Sequence, residues 1–264
     1  MPVLTLYFTY SRPAALASAL AKAFGVIRHL RRSEAPLALG EIARSVRIAP
    51  STAHSILAEL VAQGAVIQTR DKRYRLGPST FYLGASYVRS LAIYRAIWSD
   101  LVEIARELSL TAVIAVPWEN HHLMVSVHPS GGRDLDVALG GRVPIEAGSF
   151  GKAYFSWSGA EIPANLRSFT PNSITDPQQY RSEVDRTLDR GYATDHEEFT
   201  VGVGAVCAGV TSEAGFEGVA SLIGPITYVS DLGFDAAGRH LSGLASRSSS
   251  ALGDSKRMKV VGLV

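Results

Sequence analysis

The densest group of chemically active side chains in this sequence is the run Asp195–Glu198, which contains an aspartate, a histidine and two glutamates. Further histidines stand at His121, His122 and His128. Carboxylate and imidazole groups can together bind a metal ion or transfer protons. Such metal sites commonly place their ligands at fixed spacings on one helix, as in HExxH, and no such spacing is present. We therefore predict no metal site and no bound cofactor.

The sequence contains equally weak evidence for a catalytic nucleophile and for a phosphate-binding loop. Cys207 is the single cysteine, and no local pattern pairs it with a base. The glycines of Gly140-Gly141 and Gly202–Gly204 are not followed by the Lys-Ser/Thr of a phosphate loop. The sequence therefore predicts a protein that is not an enzyme. A lone cysteine also excludes an intramolecular disulfide and a thiolate-rich zinc site, which favours a reducing compartment.

Length and composition indicate a folded chain. With 264 residues, 47% hydrophobic and 19% charged, the chain is long enough for one large or two ordinary domains and has a globular balance. The best apolar stretch, Leu110–Pro117, is far shorter than the ~18 residues of a membrane helix. No basic segment precedes the apolar residues Val3–Tyr10, as a secretion signal would require. We predict a cytoplasmic protein without a membrane partner.

The charge is divided unevenly along the chain. Residues 1–77 contain 11 Lys/Arg and 4 Asp/Glu, a net charge of +7, whereas residues 78–254 contain 12 against 20, a net charge of −8. A small basic part joined to a larger acidic part indicates that the N-terminal part meets a polyanion and the remainder does not.

The basic part has the pattern of three helices followed by a hairpin. Apolar residues recur at spacings of three and four through each helical segment, and the period then changes to that of strands. Only four residues separate the second helix from the third, which favours helix-turn-helix geometry. The predicted elements are helices Ala14–Arg32, Leu39–Ser45 and Pro50–Gln63 and strands Val66–Thr69 and Tyr74–Leu76.

This arrangement predicts a winged helix-turn-helix that binds double-stranded DNA. The exposed start of the third helix offers short donors to base edges or phosphates, and the hairpin offers cations to phosphates. The candidate DNA-binding residues are Ser51, Thr52, His54 and Ser55 in the helix and Arg70, Lys72, Arg73 and Arg75 in the hairpin. The alternative interpretation is that Ser51 and Thr52 cap the helix and the hairpin is a solvated charged turn.

The acidic part mixes helices with strands, which predicts an α+β domain with an antiparallel sheet. A linker helix at Thr80–Ser90 and a helix at Ile93–Leu108 come first, and a further helix is ended by Gly191. That helix is Pro177–Arg190, and the predicted strands are Thr111–Val116, Leu123–Val127, Asp134–Leu139, Thr194–Glu198, Ala205–Val210 and Gly218–Ile223.

Short motifs occur in a characteristic order along residues 14–252. In the basic part they are Ser51-Thr52-Ala53-His54 with Ile56-Leu57, Tyr74-Arg75-Leu76-Gly77 and Leu83-Gly84. In the acidic part they are Pro144-Ile145, Gly151-Lys152-Ala153, Arg190–Asp195 with Glu197-Glu198, Gly202-Val203 and Gly224-Pro225. In this order and spacing the chain resembles the IclR family of bacterial transcriptional regulators.

The resemblance implies a dimer or a dimer of dimers that binds a pseudo-palindromic operator and a small effector in a GAF-like domain. The implied parts are a winged helix-turn-helix domain (12–77), a linker helix (78–92), a GAF-like effector domain (93–252) and a C-terminal tail (253–264). The positions that match the family's pocket are Gly151, Lys152, Ala153, Asp195, Ala205, Cys207, Ser221 and Ile223. In this interpretation Asp195 orients the effector.

Several residues depart from the family pattern. Ser55 replaces an arginine of the recognition helix, and Ala38 replaces the Ser/Thr cap of the second helix. In the pocket, Ala205 replaces a cysteine and Ile223 replaces a serine, while Gly148-Ser149 replaces Thr-Ala. A less polar pocket favours an aromatic or branched organic acid as the effector.

A GAF-like small-molecule sensor that acts through protein contacts without DNA is the alternative function. The basic hairpin discriminates between the two, because a pure sensor has no use for it.

Overall fold

The structure is a computed structural model that describes residues 18–129, 135 and 137–259, and of residues 253–259 it describes the backbone alone. The chain divides into two compact units, Met1–Ser86 and Tyr87–Val264. The division falls within the helix that follows the predicted hairpin.

The first unit contains a three-helix core and a hairpin. Its elements are α1 (Ala19–Arg31), α2 (Leu39–Val46), α3 (Pro50–Ala62), β1 (Val66–Gln68), β2 (Tyr74–Leu76) and the beginning of α4 (Pro78–Ser90). The apolar positions at helical spacing converge on one small core of Val26, Leu30, Ile42, Leu57, Val66 and Tyr74. Residues 14–17 of the predicted first helix lie outside the described residues.

The N-terminus of α2 is capped although its N-cap residue, Ala38, has no hydroxyl group. Ala38 occupies the N-cap position without a side-chain acceptor, but the Glu41 carboxylate accepts a hydrogen bond from the Ala38 backbone N–H at 2.7 Å. This is the reciprocal half of a capping box. The same carboxylate lies 3.5 Å from Arg73 Nη1, so it also connects α2 to the hairpin.

The hairpin is a short antiparallel pair with a third chain segment beside it. Val66 pairs with Leu76, and Leu37 forms a bridge to Tyr74 on the other side of β2. At the tip, Thr69 N–H donates to Arg73 O at 2.8 Å, and Lys72 adopts a left-handed conformation with φ of 59°. The tip is therefore a closed turn that projects charged side chains.

The second unit is built on a six-stranded antiparallel sheet in the order β5-β4-β3-β8-β7-β6. Its strands are β3 (Thr111–Trp118), β4 (His121–His128), β5 (Arg142–Pro144), β6 (Ala193–His196), β7 (Val203–Ser212) and β8 (Gly215–Pro225). Its helices are α5 (Ala92–Glu107), α6 (Gly148–Ser158), α7 (Pro177–Arg190), α8 (Ile226–Leu232) and α9 (Phe234–Lys259).

Both faces of the sheet are covered, and alternate residues of each central strand belong to different cores. On β3, Ala112 and Ile114 join the cluster that contains residues of α5 and α9, whereas Val113 and Ala115 join the cluster that contains residues of α6. The α+β class with an N-terminal winged helix-turn-helix and an antiparallel C-terminal sheet is thus confirmed.

Several elements differ from the sequence predictions. Helices α6, α8 and α9 and strand β5 were not expected. Of the predicted strand Asp134–Leu139, residues 134 and 136 lie outside the described residues, and 135 and 137–139 are irregular. Helix α9 continues through Lys259 into the range predicted as a tail, of which residues 260–264 lie outside the described residues. Among the described helices, none has both the length and the apolar character needed to cross a membrane.

His122 is a buried titratable group on β4. Its side chain is fully buried between the rings of Phe150 and Tyr154, and its Nε2 lies 3.2 Å from Ile145 O. Its Nδ1 is buried and has no hydrogen-bond partner among the described residues. Burial lowers the pKa of His122 to about 4, because a charged imidazolium would lose its hydration.

We expect His122 to make the second unit less stable in mild acid. Since the pKa is lower in the folded state, the unfolded chain binds more protons between its own pKa of about 6.5 and about 4, so stability falls as the pH is lowered through this window. A shift of this size corresponds to about 3 kcal/mol.

The measurement is the free energy of unfolding at several pH values for the parent and for His122→Gln, which keeps a donor for Ile145 O. Asp195, whose pKa is raised, contributes the opposite slope in both proteins. The pH dependence of the difference between them therefore isolates His122, and a constant difference would contradict the prediction.

Candidate functional site

The first turns of α3 present polar side chains that the fold does not use. Ala49 is the N-cap and makes no side-chain cap, so neither Ser51 nor Thr52 caps the helix. Ser51, His54 and Ser55 are exposed and Thr52 is partly exposed. The Ser55 hydroxyl donates to Ser51 O at 3.2 Å, a bond within the helix. The capping alternative from the sequence is therefore wrong, and these side chains face outward.

The four hairpin cations differ in how they are engaged. Arg73 Nη1 donates to Pro36 O at 3.2 Å, and its guanidinium lies 3.5 Å from both the Glu41 and the Asp71 carboxylates. Arg70, Lys72 and Arg75 are exposed and have no ion pair within the described chain. Arg73 thus stabilises the hairpin, whereas Arg70, Lys72 and Arg75 are free to contact phosphates.

The second unit contains an apolar cavity of about 110 Å³ between the sheet and the N-terminal end of α6. For comparison, an engineered cavity of ~150 Å³ binds benzene. Its lining is dominated by aliphatic and aromatic side chains, with three polar residues among them. The lining residues are Met124, Leu135, Val137, Val143, Ala147, Ser149, Phe150, Asp195, Phe199, Thr200, Val203, Ala205 and Ile223.

Asp195 is the ionisable residue of this lining. Its Oδ1 accepts a hydrogen bond from the Glu198 backbone N–H at 2.7 Å, and only 7% of the residue is exposed. Burial and the nearby Glu198 carboxylate raise the pKa of Asp195 to about 6, against the opposing effect of Lys152. The Asp195 carboxylate therefore links the β6–β7 connection to the cavity wall, and it can accept a hydrogen bond from a ligand in the cavity.

Three of the eight predicted effector positions line the cavity: Asp195, Ala205 and Ile223. Ala205 and Ile223 are directly opposite each other on β7 and β8. Cys207 and Ser221 form the next pair on the same face of the sheet, but both are fully buried, and the Ser221 hydroxyl donates to Val206 O at 2.9 Å. Neither residue is among those that line the cavity.

The residues of the motif Gly151-Lys152-Ala153 contribute to the packing of α6 and are not among those that line the cavity. A side chain at Gly151 would overlap the Glu146 carbonyl group and lie 2.6 Å from the Tyr180 hydroxyl oxygen. Ala153 is fully buried in the core against the sheet. Gly151 and Ala153 therefore allow α6 to pack closely. None of the three residues of the motif lines this cavity, and their contact with an effector stays a prediction.

Lys152 forms a buried ion pair. Its Nζ lies 2.6 and 2.8 Å from the two carboxylate oxygens of Glu198, and its side chain is 1% exposed. The hydroxyls of Thr170 and Ser173 donate to the Glu198 carbonyl oxygen at 3.1 and 2.7 Å. The pair thus anchors α6 to the connection between β6 and β7, which contributes Phe199 and Thr200 to the cavity wall.

Sequence reasoning missed most of the apolar lining. Ser149 and Phe150 immediately precede the Gly-Lys-Ala motif, and Phe199 and Thr200 follow the acidic run Asp195–Glu198. Their position next to the motifs that match the family is the sequence feature that could have identified them as lining residues. Among the described residues, no group of three or more His, Cys, Asp or Glu side chains is arranged to hold a metal ion.

Two family models match the chain. The model for the IclR helix-turn-helix domain matches residues 19–70, and the model for the bacterial transcriptional regulator IclR C-terminal domain matches residues 85–232. The matched residues therefore include parts of both units.

Similar proteins are regulators of transcription and not enzymes, in agreement with the sequence prediction. The glycerol operon regulatory protein of Streptomyces coelicolor is 30% identical over 198 residues, which are 72% of this chain and 77% of the relative. The transcriptional repressor IclR of Escherichia coli is 25% identical over 224 residues, 80% of this chain and 81% of the relative.

Solved structures share the fold. An IclR homologue from Microbacterium hydrocarbonoxydans, complexed with 4-hydroxybenzoate, has a TM-score of 0.77 at 19% identity and covers 89% of this chain and 99% of its own. The Thermotoga maritima IclR has a TM-score of 0.73 at 22% identity, covering 89% and 98%. With both family models and the regulators of transcription in agreement, the chain belongs to the IclR family of bacterial transcriptional regulators.

Proposed function

We propose that this protein binds operator DNA through the start of α3 and the hairpin, and that a small organic molecule in the apolar cavity alters that binding. The observation that carries the DNA part is the set of outward-facing side chains that the fold leaves without ion pairs or caps. A helix start with short donors fits the major groove, and flanking cations fit phosphates. The proposed residues are Ser51, Thr52, His54 and Ser55 with Arg70, Lys72 and Arg75.

The effector part rests on the cavity. A concave, mostly apolar site with a few polar groups is the usual form of a small-ligand pocket. The named ligand of the Microbacterium homologue supports a compound of similar size. We propose Asp195, Ala205 and Ile223, with Ser149 and Thr200, as contacts of the effector. We also propose a cytoplasmic location, which operator binding would require.

We further propose that the protein acts as a homo-oligomer. Helix α4 exposes Phe81, Tyr82 and Leu83, at 73%, 69% and 66%, and no residue of this helix is buried. A contiguous apolar surface of this kind favours association with another copy. A dimer would also present two copies of α3 to the two halves of a pseudo-palindromic operator.

Binding of the full-length protein to labelled genomic DNA fragments tests the proposal. We expect a salt-sensitive complex at low ionic strength, since phosphate contacts release counterions. Light scattering of the same sample should give at least the dimer mass. Absence of any complex at low salt would contradict operator binding and favour the sensor alternative, and a monomeric mass would contradict the oligomer.

A further inference from the structure

The charge of the cavity wall restricts which molecules the cavity can hold. Among the described lining residues, Asp195 is the only ionisable one, and no lysine, arginine or histidine reaches the wall. The other polar contributors, Ser149 and Thr200, are uncharged. Among the residues that the structure describes, a ligand in this cavity therefore meets an acid and no cation with which to pair.

The buried cation Lys152 is already engaged in an ion pair. Both carboxylate oxygens of Glu198 lie within 2.8 Å of Lys152 Nζ, and Lys152 does not line the cavity. Drawing Lys152 toward a ligand would leave the Glu198 carboxylate buried without its partner. Such a rearrangement is strongly unfavourable, because an isolated buried charge loses its hydration without compensation.

The N-terminal end of α6 is the second place where an anion could be held, since the first N–H groups of a helix attract negative charge. The carboxylate of Asp195 already lies there. Its Oδ2 is so close to Gly148 that a side chain at this position would overlap it, and Gly148 has φ of +51°. An acid of the protein itself therefore lies beside this helix end, and its negative charge disfavours a second anion there.

This arrangement also explains glycine at position 148, where the family pattern has threonine. A β-carbon at residue 148 would collide with the Asp195 carboxylate, and the left-handed backbone also favours glycine there. Glycine lets the carboxylate approach α6. The same approach brings a negative charge of the protein next to the first turn of α6.

We infer that the cavity binds an uncharged, mainly apolar molecule of one-ring size that donates a hydrogen bond to Asp195, and that it discriminates against carboxylates. The inference deepens the effector part of the proposed function and rests on it. It differs from the organic acid that the loss of polar pocket residues predicts, because the position of the Asp195 carboxylate disfavours an anion.

Matched pairs of small probes test this inference. Benzyl alcohol with benzoate, and 4-hydroxybenzyl alcohol with 4-hydroxybenzoate, differ mainly in the charge of one substituent. Calorimetric titration of the full-length protein at pH 7.5 should show each alcohol binding at least tenfold more tightly than its carboxylate. Tighter binding of the carboxylates would overturn the inference while leaving a small-molecule site in place.

Variants identify the source of the discrimination. Asp195→Asn keeps an oxygen that can accept from Glu198 N–H, so we expect it to fold, and it should reduce the preference for the alcohols to less than threefold. Glu161→Gln removes one negative charge from an exposed residue and should leave the preference unchanged. An unchanged preference in Asp195→Asn would contradict the assigned role of Asp195.

The probe measurement on the parent protein does not depend on any variant folding. If neither member of either pair binds the parent, the cavity inference and the effector part of the proposed function both fail. DNA binding, measured separately, would still distinguish that outcome from failure of the whole proposed function.

Discussion

Replacing Arg70, Lys72 and Arg75 together by alanine is expected to weaken DNA binding by roughly a hundredfold at low salt and to flatten the slope of log affinity against log salt by about 3. The reason is that each phosphate contact releases close to one condensed counterion, and these three exposed cations have no ion pair within the described chain. Fluorescence anisotropy with a labelled duplex at several salt concentrations measures both quantities.

Two matched variants make this result interpretable. Arg73→Ala should change the slope by less than one unit, because Arg73 is paired with Glu41 and Asp71 and already partly neutralised. Replacing Arg106, Arg181 and Arg239 by alanine removes the same charge from exposed positions of the second unit and should leave the slope unchanged. An equal loss of slope in this control would show that net charge, and not the hairpin, governs binding.

Lys152→Met is expected to destabilise the second unit by about 3 to 5 kcal/mol. The substitution keeps the apolar stem but leaves the Glu198 carboxylate buried without its cation. It also removes the group that favours ionised Asp195, which is close to Glu198. All three tryptophans, Trp98, Trp118 and Trp157, lie in this unit, so denaturant unfolding followed by tryptophan fluorescence reports its stability.

The matched comparison is an exposed ion pair of the same length. Arg186 Nη1 and Glu183 Oε1 are also 2.6 Å apart, but the Arg186 side chain is 68% exposed. Arg186→Met should therefore cost no more than about 1 kcal/mol. The double variant Lys152→Met with Glu198→Leu should recover most of the loss, because no unpaired charge remains. Equal costs for Lys152→Met and Arg186→Met would contradict the importance of burial.

The first unit was largely predictable because its helices carry their own signals. The predicted helix Pro50–Gln63 is observed as Pro50–Ala62, and the hairpin strands agree within one residue. Proline at the start of a helix, a repeating apolar stripe and a charged turn are local features that do not depend on distant residues. Helix α7, bounded by Pro177 and Gly191, was predictable for the same reason.

Helices α6 and α9 were missed because their sequences have low intrinsic helix propensity. Glycine is unfavourable within a helix, yet Gly151 in α6 and Gly238 in α9 are required by close approach. A side chain at Gly151 would overlap the Glu146 carbonyl, and one at Gly238 would overlap the Tyr192 ring. These helices are stabilised by packing on the sheet, and that packing becomes visible only when distant segments meet.

The sequence by itself determined the family, the α+β class, the outward-facing residues of α3 and the face of β7 that carries Ala205 and Cys207. A strand alternates with a period of two, so it specifies which residues share a face. The tertiary structure decided the depth of each residue on that face. It placed Ala205 and Ile223 in the cavity wall and buried Cys207 and Ser221 completely. It also paired the Lys152 ammonium with the Glu198 carboxylate. The physical reason is that cavity walls and ion pairs are formed by segments far apart in the chain, and no local periodicity encodes their contact.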